Sequence, residues 1–195
     1  YERGDKYMKN IVLIGMPGAG KSTIGVILAK VLGFKFMDSD LLIQEQTGML
    51  LRDIIAKKGV EGFLQIENQV NQEIQAEKTV IATGGSIVYG REAMEHLKEI
   101  GTIVYISLSF TTITRRLGNI KQRGVVLKKG QTLKSLYEER CPLYEQYADI
   151  IINAEGLGIE DTLDKIVNEI NSRYKLLPKA QRPAPDQHDP SHQND

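Results

Sequence analysis

The sequence has little that would tie it to a membrane, an oxidising compartment or a polyanion. Its 25 basic residues are balanced by 25 acidic ones, so no net field gathers nucleic acid or an anionic membrane. The single cysteine, Cys141, cannot form an internal disulfide, and we expect a small apolar side chain there. No apolar run approaches the roughly 20 residues of a membrane-spanning helix. We therefore expect a soluble, cytoplasmic protein with neither nucleic acid nor membrane as a partner.

The composition divides the chain into one domain and two polar ends. The 195 residues, of which 41% are hydrophobic, suit a single core. Residues 1–7 are a polar N-terminal extension before Met8, and residues 178–195, which carry four of the six prolines, are predicted to be a disordered tail. His188 and His192 have a spacing that a metal site on a helix could use, but the prolines disfavour a helix there. The folded domain is expected over residues 8–175.

Short β-branched runs alternate with helical patterns along this domain. The predicted strands are Ile11–Gly15, Phe34–Met37, Thr79–Ala82, Thr102–Leu108 and Asp149–Asn153. The predicted helices are Ser22–Leu32, Asp40–Gln46, Ile66–Ala76, Arg91–Glu99, Thr111–Leu117, Leu133–Gln146 and Ile159–Tyr174. Strands separated by helices predict an α/β fold with a parallel sheet covered on both faces. In such a sheet the ligand lies at the carboxyl ends of the strands.

A phosphate-binding loop follows the first predicted strand. The segment Gly15–Ser22 fits the pattern G-x-x-x-x-G-K-[ST], with a strand before it and an amphipathic helix after it. Glycines let backbone N–H groups converge on phosphate oxygens, and the helix start adds its positive dipole end. Lys21 is expected to reach the β- and γ-phosphates, and the Ser22 hydroxyl is expected to bind Mg²⁺. This pattern predicts a site for a nucleoside triphosphate.

Two further segments follow predicted strand ends. Asp38 and Asp40 can have different roles, in which one binds Mg²⁺ through water and the other faces an acceptor hydroxyl. Alternatively, Asp38 or Ser39 merely caps a helix. The adjacent Gly84 and Gly85 permit close approach of a ligand, although a tight turn would explain them equally.

An arginine-rich segment, residues 115–126, ends a predicted helix. Arg123 lies in a stretch that could form a lid over ATP and bring a positive charge to the transferring phosphoryl group. The alternative is a solvated surface arginine.

Taken in order, these motifs resemble those of the shikimate kinase family. They are G-x-P-G-A-G-K-S-T, D-S-D, T-G-G, R-R-x-G-N and R-x-P-L-Y-x-x-x-A-D, and the resemblance covers roughly residues 9–170. It implies a three-layer αβα P-loop kinase fold of the nucleoside-monophosphate-kinase type, with a five-stranded parallel sheet, a lid and a small helical subdomain for the acceptor. It also implies an ATP- and Mg²⁺-dependent kinase, a monomer, that phosphorylates a small hydroxylated metabolite in aromatic amino acid biosynthesis.

The resemblance also implies roles for individual residues. The nucleotide would be held by Gly15, Gly18, Ala19, Gly20, Lys21, Ser22, Thr23 and Arg116, the last packing on adenine. Mg²⁺ would be held by Ser22 and Asp38. The acceptor would be held by Asp40, Gly84, Gly85, Ser86 and Arg140, with Arg140 on its carboxylate. Catalysis would fall to Lys21, Asp40 and the lid residue Arg123.

The chain departs from the family pattern in three places. Leu64 stands where the stretch G-E-x-x-F-R-x-x-E has an arginine for the substrate carboxylate, and Val60 stands where it has its first glutamate. Ser86 puts a side chain at the third position of a triple glycine, and the lid reads Arg123-Gly-Val-Val instead of R-P-L-L in a slightly shorter segment.

Three functions therefore stay open at the level of sequence. In the first, the acceptor is shikimate and the product is shikimate 3-phosphate, and Arg52 or Lys58 takes the place of the missing arginine. Alternatively, the kinase acts on a different small alcohol that has an apolar group near Leu64. The third hypothesis is a non-catalytic regulator that binds a nucleotide, although such a protein would not need Asp40.

Overall fold

The computed structural model describes residues 9–118 and 125–174. Its strands are β1 (Ile11–Ile14), β2 (Lys35–Asp38), β3 (Thr79–Ala82), β4 (Thr102–Ser107) and β5 (Ile150–Asn153). Its helices are α1 (Lys21–Leu32), α2 (Ser39–Thr47), α3 (Leu51–Gln72), α4 (Arg91–Ile100), α5 (Phe110–Leu117), α6 (Leu133–Tyr147) and α7 (Ile159–Arg173). Of the helices in these two ranges, none combines the length and the apolar character that crossing a membrane would need.

The five strands form one parallel sheet in the order β2-β3-β1-β4-β5. Strand β1 lies at its centre, and its four residues are fully buried. Such a continuous apolar run, rather than an alternating one, is what a parallel strand covered by helices on both faces requires. The predicted α/β fold with a five-stranded parallel sheet is thus confirmed, and every predicted strand is present within two residues of its expected bounds.

A second apolar cluster lies apart from the main core, between α2 and α3. It consists of the buried side chains Ile43, Ile54, Phe63, Val70 and Val126. This cluster gives the predicted small helical subdomain its own core.

Helix α3 differs from the prediction at both ends. It begins at Leu51 rather than Ile66, and it breaks at Gly59, where φ is 72° and ψ is 178°. It ends at Gln72, and Ile74 is buried against the main core in irregular chain beyond it. The predicted helix was therefore too long at its C-terminal end, because Ile74 fits the apolar spacing of a helix but is buried by the packing of irregular chain.

Candidate active site

The loop between β1 and α1 has the backbone geometry of an anion-binding turn. Gly15 has a φ of 146°, and a Cβ added there would come within 2.8 Å of the Ile106 carbonyl oxygen. Gly20, with a φ of 94°, caps the N-terminus of α1 without any side-chain hydrogen bond. The first turn of α1 thus keeps its N–H groups free of side-chain partners at the cap, which is where a phosphate binds.

Lys21 lies folded against this loop. Its Nζ donates to the carbonyl oxygens of Gly15 at 2.8 Å and Met16 at 2.9 Å, and the residue is only 8% exposed. Burial lowers the pKa of Lys21 to about 8, although the neighbouring Asp40 carboxylate opposes the shift. An anionic ligand would raise this pKa again because it favours the ammonium form.

Ser22 and Asp38 are joined across the gap between α1 and β2. The Ser22 hydroxyl donates to Asp38 Oδ2 at 2.6 Å, and Asp38 Oδ1 accepts from the backbone N–H groups of Asp40 and Leu41 at the start of α2. Asp38 is therefore a helix cap, as one sequence alternative held. Its second oxygen, together with the Ser22 hydroxyl, forms a two-oxygen donor set that fits Mg²⁺, whose other ligands are usually waters and phosphate oxygens.

A cavity of about 390 Å³ lies on the other side of the loop. Arg116 borders it and donates from Nη1 to the Ala19 carbonyl oxygen at 3.4 Å. The remaining wall comes from the loop and from the segment after β5: Gly18, Gly20, Thr23, Ile24, Ala154, Leu157, Gly158, Ile159 and Thr162. A cavity of this size beside the loop has room for a planar group attached to a phosphate chain, which agrees with the nucleotide side predicted from the sequence.

A second cavity, of about 250 Å³, brings the two halves of the site together. Its lining includes Lys21 and Ser22 on the phosphate side and Asp40, Gly84 and Gly85 on the acceptor side. Burial raises the pKa of Asp40 to about 6, with a smaller contribution from Asp38 and opposition from Lys21. Asp40 thus stands between the phosphate loop and the paired glycines, as a carboxyl close to the pKa that suits a general base.

Arg140 projects from α6 into the acceptor side. It is 1% exposed, and it donates from Nε to the Tyr89 hydroxyl at 3.3 Å and from Nη2 to the Val126 carbonyl oxygen at 3.2 Å. Its guanidinium carbon lies 5.2 Å from the centre of the Tyr89 ring. Within residues 9–118 and 125–174, no carboxylate forms an ion pair with it. A buried guanidinium without a counter-ion is prepared for an anionic ligand.

Comparison with known proteins identifies the family. The family model described as shikimate kinase matches residues 17–171. The chain belongs to the shikimate kinase family. Curated relatives named shikimate kinase come from Thermodesulfovibrio yellowstonii, 41% identical over 165 residues that cover 83% of this chain and 95% of the relative, and from a Sulfurihydrogenibium species, 38% identical over 169 residues that cover 86% and 99%.

Solved structures support the same family and fold. Shikimate kinase from Acinetobacter baumannii, in complex with shikimate, superposes with a TM-score of 0.78 at 34% identity and covers 85% of this chain and 94% of its own. Deoxyadenosine kinase from M. mycoides, at 16% identity and a TM-score of 0.55, shares the fold alone and covers 84% of this chain and 98% of its own. The resemblance read from the motifs is therefore confirmed, whereas the roles of individual residues stay predictions.

The substitutes suggested for the missing family arginine do not lie in the pocket. Arg52 is largely exposed and pairs with Asp53 at 3.7 Å, and Lys58 is exposed on α3. Neither residue lines a cavity that contains Asp40 or Arg140. Leu64 itself is half-buried and packs on the second apolar cluster. Arg123, like residues 1–7 and 178–195, lies outside the described residues, so its predicted lid role stays a prediction.

Three site residues were not identified from the sequence. Tyr144, fully buried on α6, donates from its hydroxyl to the Gly85 carbonyl oxygen at 2.5 Å. Tyr89 holds Arg140, and Glu67 accepts a hydrogen bond from the buried Ser86 hydroxyl. Of the three, Glu67 and Tyr144 had a local signal, because Glu67 ends the altered stretch that begins at Gly59 and Tyr144 is the tyrosine of the motif R-x-P-L-Y-x-x-x-A-D.

Proposed function

We propose that this member of the shikimate kinase family transfers the γ-phosphoryl group of ATP to the 3-hydroxyl of shikimate, with Mg²⁺. The observation that carries the proposal is the single cavity in which Lys21 and Ser22 of the phosphate loop face Asp40 and Gly84. Relatives that the chain matches over most of their length are named shikimate kinase, and this supports the choice of acceptor.

In this mechanism Asp40 positions the acceptor and takes its proton. The hydroxyl oxygen forms a bond to the γ-phosphorus while the bond from that phosphorus to the bridging oxygen of ADP breaks. The hydroxyl proton passes to the Asp40 carboxylate. Lys21 moves from the loop carbonyls to the phosphate oxygens, where its charge stabilises the transition state.

Mg²⁺ would be held by Ser22 directly and by Asp38 through water. When bound, the ion neutralises charge on the phosphoryl oxygens. When Mg²⁺ is absent, Asp38 keeps the Ser22 hydroxyl oriented through the 2.6 Å hydrogen bond. Because the same carboxylate caps α2, metal binding is coupled to the position of Asp40, two residues further on.

Arg140 would bind the carboxylate of the acceptor. Its direction is set from two sides, since Tyr89 and the Val126 carbonyl oxygen accept from it. The floor beneath the acceptor is the pair Gly84 and Gly85, and Tyr144 fixes the carbonyl of Gly85. Predicted positions for the reacting hydroxyl and the carboxylate thus lie at opposite ends of one short glycine segment.

A coupled assay of ADP release with and without shikimate tests this function, with the phosphorylated product identified by mass spectrometry. We expect release to depend on shikimate and to stop in the Lys21→Ala variant. Background ATP hydrolysis that shikimate leaves unchanged would overturn the assignment of the acceptor.

One observation favours a second candidate, a different small hydroxylated acceptor. Leu64 offers an apolar surface where the family pattern has an arginine, and the cations in the cavity that Leu64 lines, Arg91 and Lys128, come from outside α3. A panel of hydroxy acids, polyols and amino alcohols in the same assay separates the two candidates. Nucleotide binding without turnover of any of them would instead favour a regulatory role.

A further inference from the structure

Two of the departures from the family pattern are related to one side chain, Glu67: Ser86 through a hydrogen bond and Leu64 through its position on the same helix. Leu64 precedes Glu67 by three residues on α3, a spacing that places both on one helix face. Ser86, the residue at the third glycine position, donates from its hydroxyl to Glu67 Oε2 at 2.6 Å. The hydroxyl of Ser86 therefore contacts this carboxyl group directly, and Leu64, in place of the family arginine, lies about one helical turn before it.

The other oxygen of this carboxyl group has no partner. Glu67 is 2% exposed, and among the described residues its Oε1 makes no hydrogen bond. Oε1 lies against the glycine floor of the acceptor site, because a Cβ added at Gly84 would come within 2.5 Å of it and within 2.7 Å of Asp40 Oδ1. A buried polar atom left unpaired costs free energy unless a ligand satisfies it.

The surroundings favour the uncharged form of Glu67. Burial raises the pKa of Glu67 to about 8. The hydrogen bond from Ser86 and the positive charges of Arg140 and Lys21 oppose this rise, whereas the Asp40 carboxylate adds to it. At neutral pH the group is thus mainly a carboxylic acid. With Ser86 donating to Oε2, Oε1 is the oxygen left to carry the proton of the uncharged form, and it lies beside Gly84.

We propose that Glu67 determines acceptor specificity by donating a hydrogen bond from Oε1, as an uncharged acid, to an oxygen atom of an anionic hydroxy acid. This deepens the proposed function and rests on it. A neutral donor here takes over part of the recognition that an arginine at position 64 would provide. Arg140 is then the one cation among the described residues that line the small cavity with Asp40, Gly84 and Gly85.

The charges in the pocket argue for an anionic acceptor over an amino alcohol. Arg140 is buried, and no carboxylate of the described chain pairs with it. An ammonium group beside it would meet a like charge and would need Glu67 ionised. A carboxylate neutralises Arg140 and accepts from an uncharged Glu67, which satisfies both groups together.

Calorimetry of shikimate binding to the full chain saturated with MgADP tests the proposal without turnover. Buffers of different ionisation enthalpy report the protons taken up. At pH 8.5 we expect the wild type to take up about half a proton or more, because binding restores the acid form of Glu67. The Glu67→Gln variant should take up clearly less. The matched Glu73→Gln variant, whose exposed carboxyl directly follows the same helix, should behave as the wild type.

The affinity of Glu67→Gln at pH 7 gives the second readout. A glutamine accepts a hydrogen bond from Ser86 through its carbonyl oxygen and donates one through its amide, as the neutral acid does. The affinity of Glu67→Gln for shikimate should therefore stay within about threefold of the wild type, whereas that of Glu67→Ala should fall by about tenfold. Proton uptake that persists in Glu67→Gln, or a glutamine variant as weak as the alanine one, would overturn the role of Glu67 and leave the proposed function standing. If the wild type binds no hydroxy acid, or prefers an amino alcohol, both proposals fail.

Discussion

The Ser22 hydroxyl donates a 2.6 Å hydrogen bond to Asp38 Oδ2, while Oδ1 of the same carboxylate caps α2. One side chain thus links the end of the phosphate loop to the helix that carries Asp40. The capping function and the metal-side function, which the sequence presented as alternatives, use different oxygens and are compatible. They can be separated by mutation because asparagine caps a helix as well as aspartate does.

Asp38→Asn and Asp38→Ala should therefore differ in stability but not in metal requirement. We expect the asparagine variant to unfold near the wild-type temperature and the alanine variant to lose about 1 kcal/mol through the missing cap. Both should need about 10–100 times more Mg²⁺ for half-maximal activity, the usual cost of losing a group that orients a metal site. Magnesium titrations and thermal melts check this, and a wild-type Mg²⁺ requirement in Asp38→Asn would remove Asp38 from the metal side.

Lys21 should make ATP binding weaker at alkaline pH. Its pKa in the free protein is lowered to about 8 by burial, and ATP binds the charged form more tightly. Raising the pH through 8 deprotonates the lysine, so ATP affinity should fall there and be retained below it. Equilibrium titrations from pH 6.5 to 9.5 measure the effect.

Replacement of the same lysine should abolish the reaction. Lys21→Ala removes a charge from the transferring phosphoryl group, and we expect kcat to fall by about 100-fold or more. Lys30→Ala, at the far end of α1, is the matched control. A variant at position 21 that kept a substantial rate would exclude the P-loop mechanism.

The phosphate side of the site could be predicted from the sequence because its chemistry is local. The residues concerned lie in one short loop and the first turn of the helix that follows, so their spacing fixes their relative positions: Gly15, Gly20, Lys21 and Ser22. The parallel sheet was predictable for a similar reason, since buried strands such as Ile11–Ile14 are uninterrupted apolar runs.

The acceptor side could be predicted only in part because its contacts join distant segments. Glu67 meets Ser86 across 19 residues and Tyr144 meets Gly85 across 59. No periodicity encodes such pairs. The burial of Glu67 could not be predicted either, because nothing in the sequence of α3 distinguishes it from the exposed Glu61. The sequence did reveal that Leu64 and Ser86 were unusual, but only the fold connects them.

Asp40 should control the acidic side of the pH profile. Burial raises its pKa to about 6, and only the ionised form can accept the acceptor proton. With saturating MgATP, kcat/KM for shikimate should therefore fall as the pH drops through 6 and be constant just above it.

Asp40→Asn should lower kcat by about 100-fold or more, as the loss of a general base does, and leave the affinity for ATP nearly unchanged. Its residual activity should show no transition near pH 6. Glu45→Gln, exposed on the same helix, is the control. Equal losses of turnover and ATP affinity would contradict an acceptor-side role.

Tyr144→Phe should affect both stability and the acceptor site. The hydroxyl is the described partner of the Gly85 carbonyl oxygen, and its removal leaves a buried acceptor unpaired at a cost of about 1–3 kcal/mol. We expect a lower melting temperature and a higher KM for shikimate, with the KM for ATP unchanged. Tyr147→Phe, near the end of the same helix, controls for a general effect of losing a hydroxyl on α6.

Leu64→Arg tests how the two altered positions depend on each other. The introduced guanidinium would lie one helical turn from Glu67, at the position where the family pattern has an arginine for the substrate carboxylate. We expect the KM for shikimate to fall by about tenfold or more, as for a hydrogen bond between charged partners. Leu64→Met preserves the apolar packing without the charge and should leave the KM unchanged.

The same variant should also ionise Glu67, because a neighbouring cation lowers the pKa of a carboxyl group. The proton uptake on shikimate binding at pH 8.5 should then disappear in Leu64→Arg. Combining it with Ser86→Gly makes a double-mutant cycle across the shared partner, Glu67. We expect the two changes to be non-additive in shikimate affinity by about 0.5 kcal/mol or more, as changes at residues coupled through a shared partner are. Strict additivity would mean that Leu64 and Ser86 act separately, and that Glu67 does not connect them.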